Sequence, residues 1–254
     1  MRQNKRKALL SVICLVSTVF ACASCLHDSA APAATVSAPY ASVDTAPETV
    51  RTGYEPFNDA VFIGDCISVR LKNYVTEKRQ SAEGFMGTAQ FLTAAGLGSA
   101  NALEKPGSDS KHPTYKGEKM SIEDGVLRSG AKKAYIMLGM SDLNTYGVKE
   151  AAQYFETLVG RIEAKVPGIT VCIQSVAPVT KDGETEMLNN ETIGAYNDRL
   201  RALCEKKGYD FIDVASVLRD REGNLPEKYA NDDESRPNEA FCSVWIEYLL
   251  EHAV

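Results

Sequence analysis

The 254 residues are 44% hydrophobic and carry a formal net charge of −6, which is enough apolar material for one sizeable α/β domain plus a leader. Lysines and arginines are scattered among acids rather than gathered in one stripe, a pattern that excludes the electrostatic footprint of a nucleic-acid-binding surface. Within residues 55–254 the cysteines are Cys66, Cys172, Cys204 and Cys242, with no CxxC among them; neither a disulfide framework nor a metal site is read from them, and no spacing calls for a cofactor.

The chain opens on Arg2, Lys5, Arg6 and Lys7, followed by an apolar run over 8–21 broken only by Ser11, Ser17 and Thr18. This is the pattern of a secretory signal peptide, read here as residues 1–22. The run falls short of the roughly 20 apolar residues of a permanent span. Its end, VFACASC, resembles a bacterial lipobox: Cys22 follows Ala21 and has Val19 three positions upstream, while Cys25 is the alternative anchor. The expectation is a protein secreted, or held on the outer face of the cell membrane as a lipoprotein. Residues 23–54, rich in Ala, Ser, Thr, Pro and Val without a hydrophobic period, read as a disordered tether, and residues 55–254 as the folded domain.

Within that domain a short apolar run, 59–64, ends in Gly64-Asp65 and leads into a helix-compatible stretch through Val75. A weaker strand over 91–95 leads to Gly96-Leu97-Gly98, and a long polar loop over 105–119 follows. The same grammar recurs: strand 133–139 before a helix near 149–164, strand 169–176 before a helix near 190–206, and strand 209–213 before a last helix near 239–252. Continuous apolar strands separated by amphipathic helices predict a parallel sheet covered on both faces. Sites in such sheets lie beyond the carboxyl ends of the strands. Cys172, on a strand, and Cys204 and Cys242, on helices, read as small core residues.

Three strand-end clusters stand out: Gly64-Asp65-Cys66, Gly139-Met140-Ser141-Asp142, and Asp233-Glu234-Ser235-Arg236 before the final helix. Their order and spacing resemble the SGNH (GDSL-type) hydrolase family, which carries G-D-S after its first strand, a glycine after the second, G-x-N-D after the third and D-x-x-H before the last helix. The resemblance covers residues 59–252 and implies a three-layer α/β/α sandwich with a central parallel sheet, flavodoxin-like in layout. In that family the serine is the nucleophile, its N–H, the glycine and the asparagine form the oxyanion hole, and the histidine is a base oriented by the aspartate. A hydroxyl needs a base to lose its proton, and a tetrahedral oxyanion needs preorganised donors.

The residues matched to those roles are substituted. Cys66 stands at the nucleophile position, either a reactive thiol or an inert one; Ser68, two residues on, reads as bonding local backbone. Gly96 matches the glycine best, with Gly98 second. Ser141 holds the asparagine position, or caps a helix. Asp233 falls on the aspartate and Arg236 on the histidine, where a guanidinium that stays protonated cannot act as a general base. Of the three histidines, His27 lies in the tether, His252 at a helix end, and His112 in the long polar loop after the second strand, a position from which it is the candidate for a displaced base. Asp65, Gly139 and Asp142 are expected beside the site.

Two readings follow from the resemblance. In the first the protein is a catalytically degenerate member that binds a carbohydrate or acyl ligand in the old esterase pocket, with Arg236 paired to Asp233 or clasping a carboxylate. In the second it is an acyl-ester hydrolase or acyltransferase using Cys66 as nucleophile, with water activated by His112 or Asp233. A purely structural interaction domain is a third, weaker option.

Overall fold

A computed structural model describes residues 53–231 and 237–253. The leader with Cys22 and Cys25, the tether as far as residue 52 with His27, and the pair Asp233 and Arg236 lie outside the described residues.

Five apolar segments form one parallel sheet: β1 (Ala60–Gly64), β2 (Gln90–Thr93), β5 (Lys133–Met137), β6 (Thr170–Gln174) and β7 (Asp210–Ile212), in the order β2-β1-β5-β6-β7. The two missing numbers belong to a small antiparallel hairpin, β3 (Thr114–Tyr115) and β4 (Glu118–Lys119), inside the stretch expected as loop. The main sheet is a five-strand doubly wound layout whose order reverses between β1 and β5; that switch point opens a crevice at the carboxyl ends of the two strands. Gly64 pairs with Thr93 of β2 on one side and Met137 of β5 on the other, so residues after β1 and β5 emerge side by side.

The helices are α1 (Cys66–Ser81), α2 (Ser99–Ala102), α3 (Ile122–Ser129), α4 (Met140–Lys165), α5 (Asn190–Lys207), α6 (Ala215–Leu218) and α7 (Glu239–Glu251). Alternation along each strand separates two cores. Val61, Ile63, Ala134, Ile136, Val171 and Ile173 pack with the apolar sides of α3, α4 and α5. Ala60, Phe62, Tyr135, Met137 and Cys172 pack with α1, α6 and α7. The result is the expected three-layer sandwich, and Cys172, Cys204 and Cys242 are all buried in it.

Two helices differ from the sequence reading. Helix α4 starts at Met140 rather than near 149, because Gly147 (φ 77°, ψ 178°) interrupts the helical dihedrals with a conformation open to glycine and hardly any other residue. The short first segment, 140–146, is thereby aimed independently of the long amphipathic body behind it. Helix α3, whose start is capped by Ser121 and whose end is closed by Gly130 in the left-handed region, has only eight residues, about two turns, too short to stand out beside the long polar loop before it. Among the described residues no helix is long and apolar enough to cross a membrane.

Candidate active site

The strand ends bring three segments together. After β1 the chain turns at Asp65, whose carboxylate caps α1 by accepting the Ile67 N–H at 3.0 Å. Asp65 is 2% exposed; burial pushes its carboxyl up to about 7, with repulsion from Asp142 adding to the effect and the N–H groups of Ile67 and Met140 opposing it. Cys66 is then the first residue of α1, exposed, at a helix N-terminus, where backbone N–H groups favour negative charge. Ser68 is buried against Gly64: a Cβ on Gly64 would sit 2.0 Å from the Ser68 Oγ and 2.7 Å from the Met137 carbonyl oxygen. Ser68 is therefore a packing residue beneath the turn.

After β5, Gly139 caps α4 and Ser141 is the second helical residue, which corrects the reading of Ser141 as the cap itself. Gly139 has no room for a side chain, since a Cβ would lie 2.6 Å from Cε1 of Tyr196 and 2.8 Å from Cγ2 of Val176. Tyr196 is fully buried and its hydroxyl donates to the Leu138 carbonyl at 3.1 Å, while Asn197 holds Val176 through both N–H and C=O. Helix α5 thus braces the turn that presents Ser141.

Asp142, 1% exposed, reaches across to the segment after β2. Its Oδ2 accepts the Ser99 N–H at 2.6 Å and its Oδ1 the Ala100 N–H at 3.0 Å. Burial raises its carboxyl, while these N–H groups oppose the rise. Gly98 lies directly over that carboxylate, its virtual Cβ 2.7 Å from Oδ1, whereas the neighbour of Gly96 (φ 74°) is the aliphatic part of Lys111. The geometry thus ties Gly98, more directly than Gly96, to the turn that carries Ser141. The Gly98 N–H donates to Asn101 Oδ1 at 3.0 Å, and Asn101 Nδ2 donates to the Gly96 carbonyl at 2.9 Å. Asn101 and the Asp142 bridge escaped the sequence reading; the glycine-serine pair three residues before an asparagine was the only local signal of a capped turn there.

His112 is 2% exposed and its Nε2–H donates to the Ala102 carbonyl at 3.2 Å, which leaves Nδ1 buried without a partner among the described residues. His252 donates from Nδ1 to the Tyr248 carbonyl at 2.8 Å and stacks its ring on Tyr248 at 4.0 Å. A hollow of about 430 Å³ lies between the loops after β6 and after α6, lined by none of the residues matched to the family's roles; Thr180, Lys181, Asp182, Asp220, Asn224 and Glu227 supply most of its polar lining. A smaller one, about 210 Å³, runs between α1 and α7 past Arg70, Tyr74 and Cys242. Among the described residues no group of acids, cysteines and histidines is arranged to hold a metal ion.

The model of the GDSL-like Lipase/Acylhydrolase family matches residues 62–241. No curated protein matches the chain. Among solved structures, a GDSL-like lipase from Bacteroides thetaiotaomicron is similar at 15% identity and a TM-score of 0.58, over 77% of this chain and 88% of that one. A mutant of an acetyl-xylooligosaccharide esterase from Geobacillus Stearmophilus (15%, TM-score 0.54, 76% and 93%) and a carbohydrate esterase family 3 protein from Talaromyces cellulolyticus (15%, TM-score 0.53, 76% and 94%) are similar as well. At these identities the likeness speaks for the fold alone.

Proposed function

We propose, from the premise that this chain belongs to the GDSL-like lipase/acylhydrolase family, that it is an exported, surface-held member that binds a carbohydrate or acyl-bearing ligand at the strand ends and hydrolyses esters poorly. The observation that carries this reading is where the imidazoles are. The sequence resemblance assigns the family's base position to Arg236, and both described histidines are engaged elsewhere, His112 by the Ala102 carbonyl and His252 by Tyr248. A general base contributes about 10²–10⁴-fold to such a reaction, so its replacement by a permanent cation leaves the frame with little turnover. The hydrogen-bonding lining of the 430 Å³ hollow supports a hydroxyl-rich ligand, and its size falls in the range of small-molecule sites. Arg236, five residues beyond the last lining residue Asn231, would favour a carboxylate-bearing one.

A second reading, a cysteine acylhydrolase or acyltransferase, is favoured by one observation: Cys66 is exposed at the first residue of a 16-residue helix. One experiment separates the two. The wild-type protein is expected to hydrolyse p-nitrophenyl acetate barely faster than its Cys66→Ala variant, and the triple change Cys66→Ser, Ser141→Asn, Arg236→His is expected to raise turnover. The three changes belong together because members of a catalytic unit are strongly non-additive. Brisk wild-type turnover abolished by Cys66→Ala would establish the cysteine enzyme instead. A folded triple variant without activity would mean that the pocket itself has been reshaped for binding.

A further inference from the structure

Asp142 sits at the third position of α4, yet its carboxylate serves neither its own helix nor a charge partner. Both oxygens cross 42 to 43 residues of sequence to the N–H groups that open α2, at 2.6 and 3.0 Å. The contact is buried, and charge-assisted hydrogen bonds from backbone N–H groups are the strong kind. Gly98 is pressed so closely onto the same carboxylate that a single added carbon would collide with it. Two of the three segments that the site needs, the loop of Gly96 and Gly98 and the turn of Ser141, are therefore fastened to each other through one side chain.

We propose that Asp142 is the positioning residue of an oxyanion pocket, setting the Gly96–Gly98 loop at a fixed distance from Ser141 and from Cys66 so that an acyl carbonyl oxygen finds its donors already in place. The proposal rests on the reading of the strand ends as an acyl-accepting site. The Gly98 N–H, now bonded to Asn101 Oδ1, is the donor that such an oxygen takes over. Asp142 itself touches no ligand; it acts through the loop.

The test compares two reactions of Cys66 in the wild-type protein. In the first, the thiolate attacks the carbonyl carbon of p-nitrophenyl acetate; a C–S bond forms, the C–O bond to the aryl group breaks, p-nitrophenolate leaves with the bonding pair, and the thiol proton goes to solvent. That step passes through an oxyanion. In the second, iodoacetamide alkylates the same sulfur by displacing iodide, and no oxyanion forms. Each rate is read at the Cys66 peptide by mass spectrometry, which requires no turnover. The ratio of acetylation to alkylation is expected to exceed that of the urea-unfolded chain by about tenfold or more, since one lost oxyanion donor is worth about 10²–10³ in rate. Asp142→Asn, which keeps the shape but points a donor at a donor, is expected to bring the ratio down to the unfolded value while the alkylation rate holds. A purely structural role would slow or speed both reactions together.

Circular dichroism checks that the variant folds. Should it not, Gly98→Ala strains the same contact from the other side and must lower the ratio too. A wild-type ratio no higher than that of the unfolded chain, or a ratio unmoved in the folded variants, overturns the proposal. Failure of the functional reading shows elsewhere: rapid multiple turnover by the wild type would contradict it while leaving the Asp142 dependence of the ratio to be judged on its own.

Discussion

Asp65 and Asp142 are buried carboxylates at the head of the sheet, and their protonation links the site to stability. For Asp65, burial moves the carboxyl from 3.8 to about 7, so the folded state holds a proton that the unfolded chain releases above pH 4. Its contribution favours folding fully below the unfolded value and is lost as pH rises toward 7. A tenfold difference in proton affinity is worth about 1.4 kcal/mol, so the window carries on the order of a few kcal/mol. Urea unfolding followed by the fluorescence of Trp245, the one tryptophan of the chain, is expected to show wild type losing stability relative to Asp65→Asn between pH 4 and 7, because the amide keeps the oxygen that accepts the Ile67 N–H but does not titrate. A difference that stays flat across that window would show that Asp65 is ionised throughout. Asp124 and Glu184, whose carboxyls are lowered chiefly by their lysine partners, act with the opposite sign at lower pH and cancel in the comparison.

Among the elements, the end of α1 is held by an unusual device. Arg79 sends Nε to the Phe85 carbonyl at 2.9 Å and Nη2 toward those of Met86, Gly87 and Ala89 at 3.4, 3.1 and 3.0 Å. The segment it gathers holds Met86 (φ 57°) and Gly87 (φ 52°) in left-handed conformations, and these have no regular structure to satisfy their carbonyls. Hydrogen bonds to a charged group contribute about 1.5–3 kcal/mol when partly buried, so Arg79→Ala is expected to cost roughly 2–3 kcal/mol in urea unfolding, with Lys a poor substitute because it lacks the planar fork. Arg128, in an exposed ion pair with Glu118, provides the contrast: its alanine variant is expected to change stability by less than about 1 kcal/mol. Equal losses at the two sites would refute this role for Arg79.

At the scale of the whole molecule, the sheet and its two cores organise the described residues, 53–231 and 237–253, and what precedes them is read from sequence alone. The basic start, the short apolar run and Cys22 lead to the proposal that the mature chain begins at an acylated Cys22 on the outside of the membrane, which would present the strand-end site to surface glycans. Mass spectrometry of the N-terminus of the protein purified from its native membrane is expected to find diacylated Cys22. An intact Met1, or a cleaved chain with neither Cys22 nor Cys25 acylated, would remove the anchor.

The strands and their sequence order were legible because each is a continuous apolar run ending in a turn signal, and a parallel sheet leaves such runs no other place to go. For the same reason Gly64-Asp65-Cys66 and Gly139-Met140-Ser141-Asp142 announced themselves as strand-end residues. Helix α3 and the β3–β4 hairpin did not, since elements of eight and two residues are too short to be separated from the polar loop around them. Nor did the start of α4, where one glycine conformation splits the helix. The sequence by itself determined the layers and the sheet, because those depend on local pattern and residue identity. Only the tertiary structure decided that Asp142 fastens Ser99 and Ala100, that Gly139 is closed in by Tyr196 and that His112 is turned to Ala102, because each of those contacts joins residues that meet only when the sheet is assembled, and burial then sets what each polar group can do.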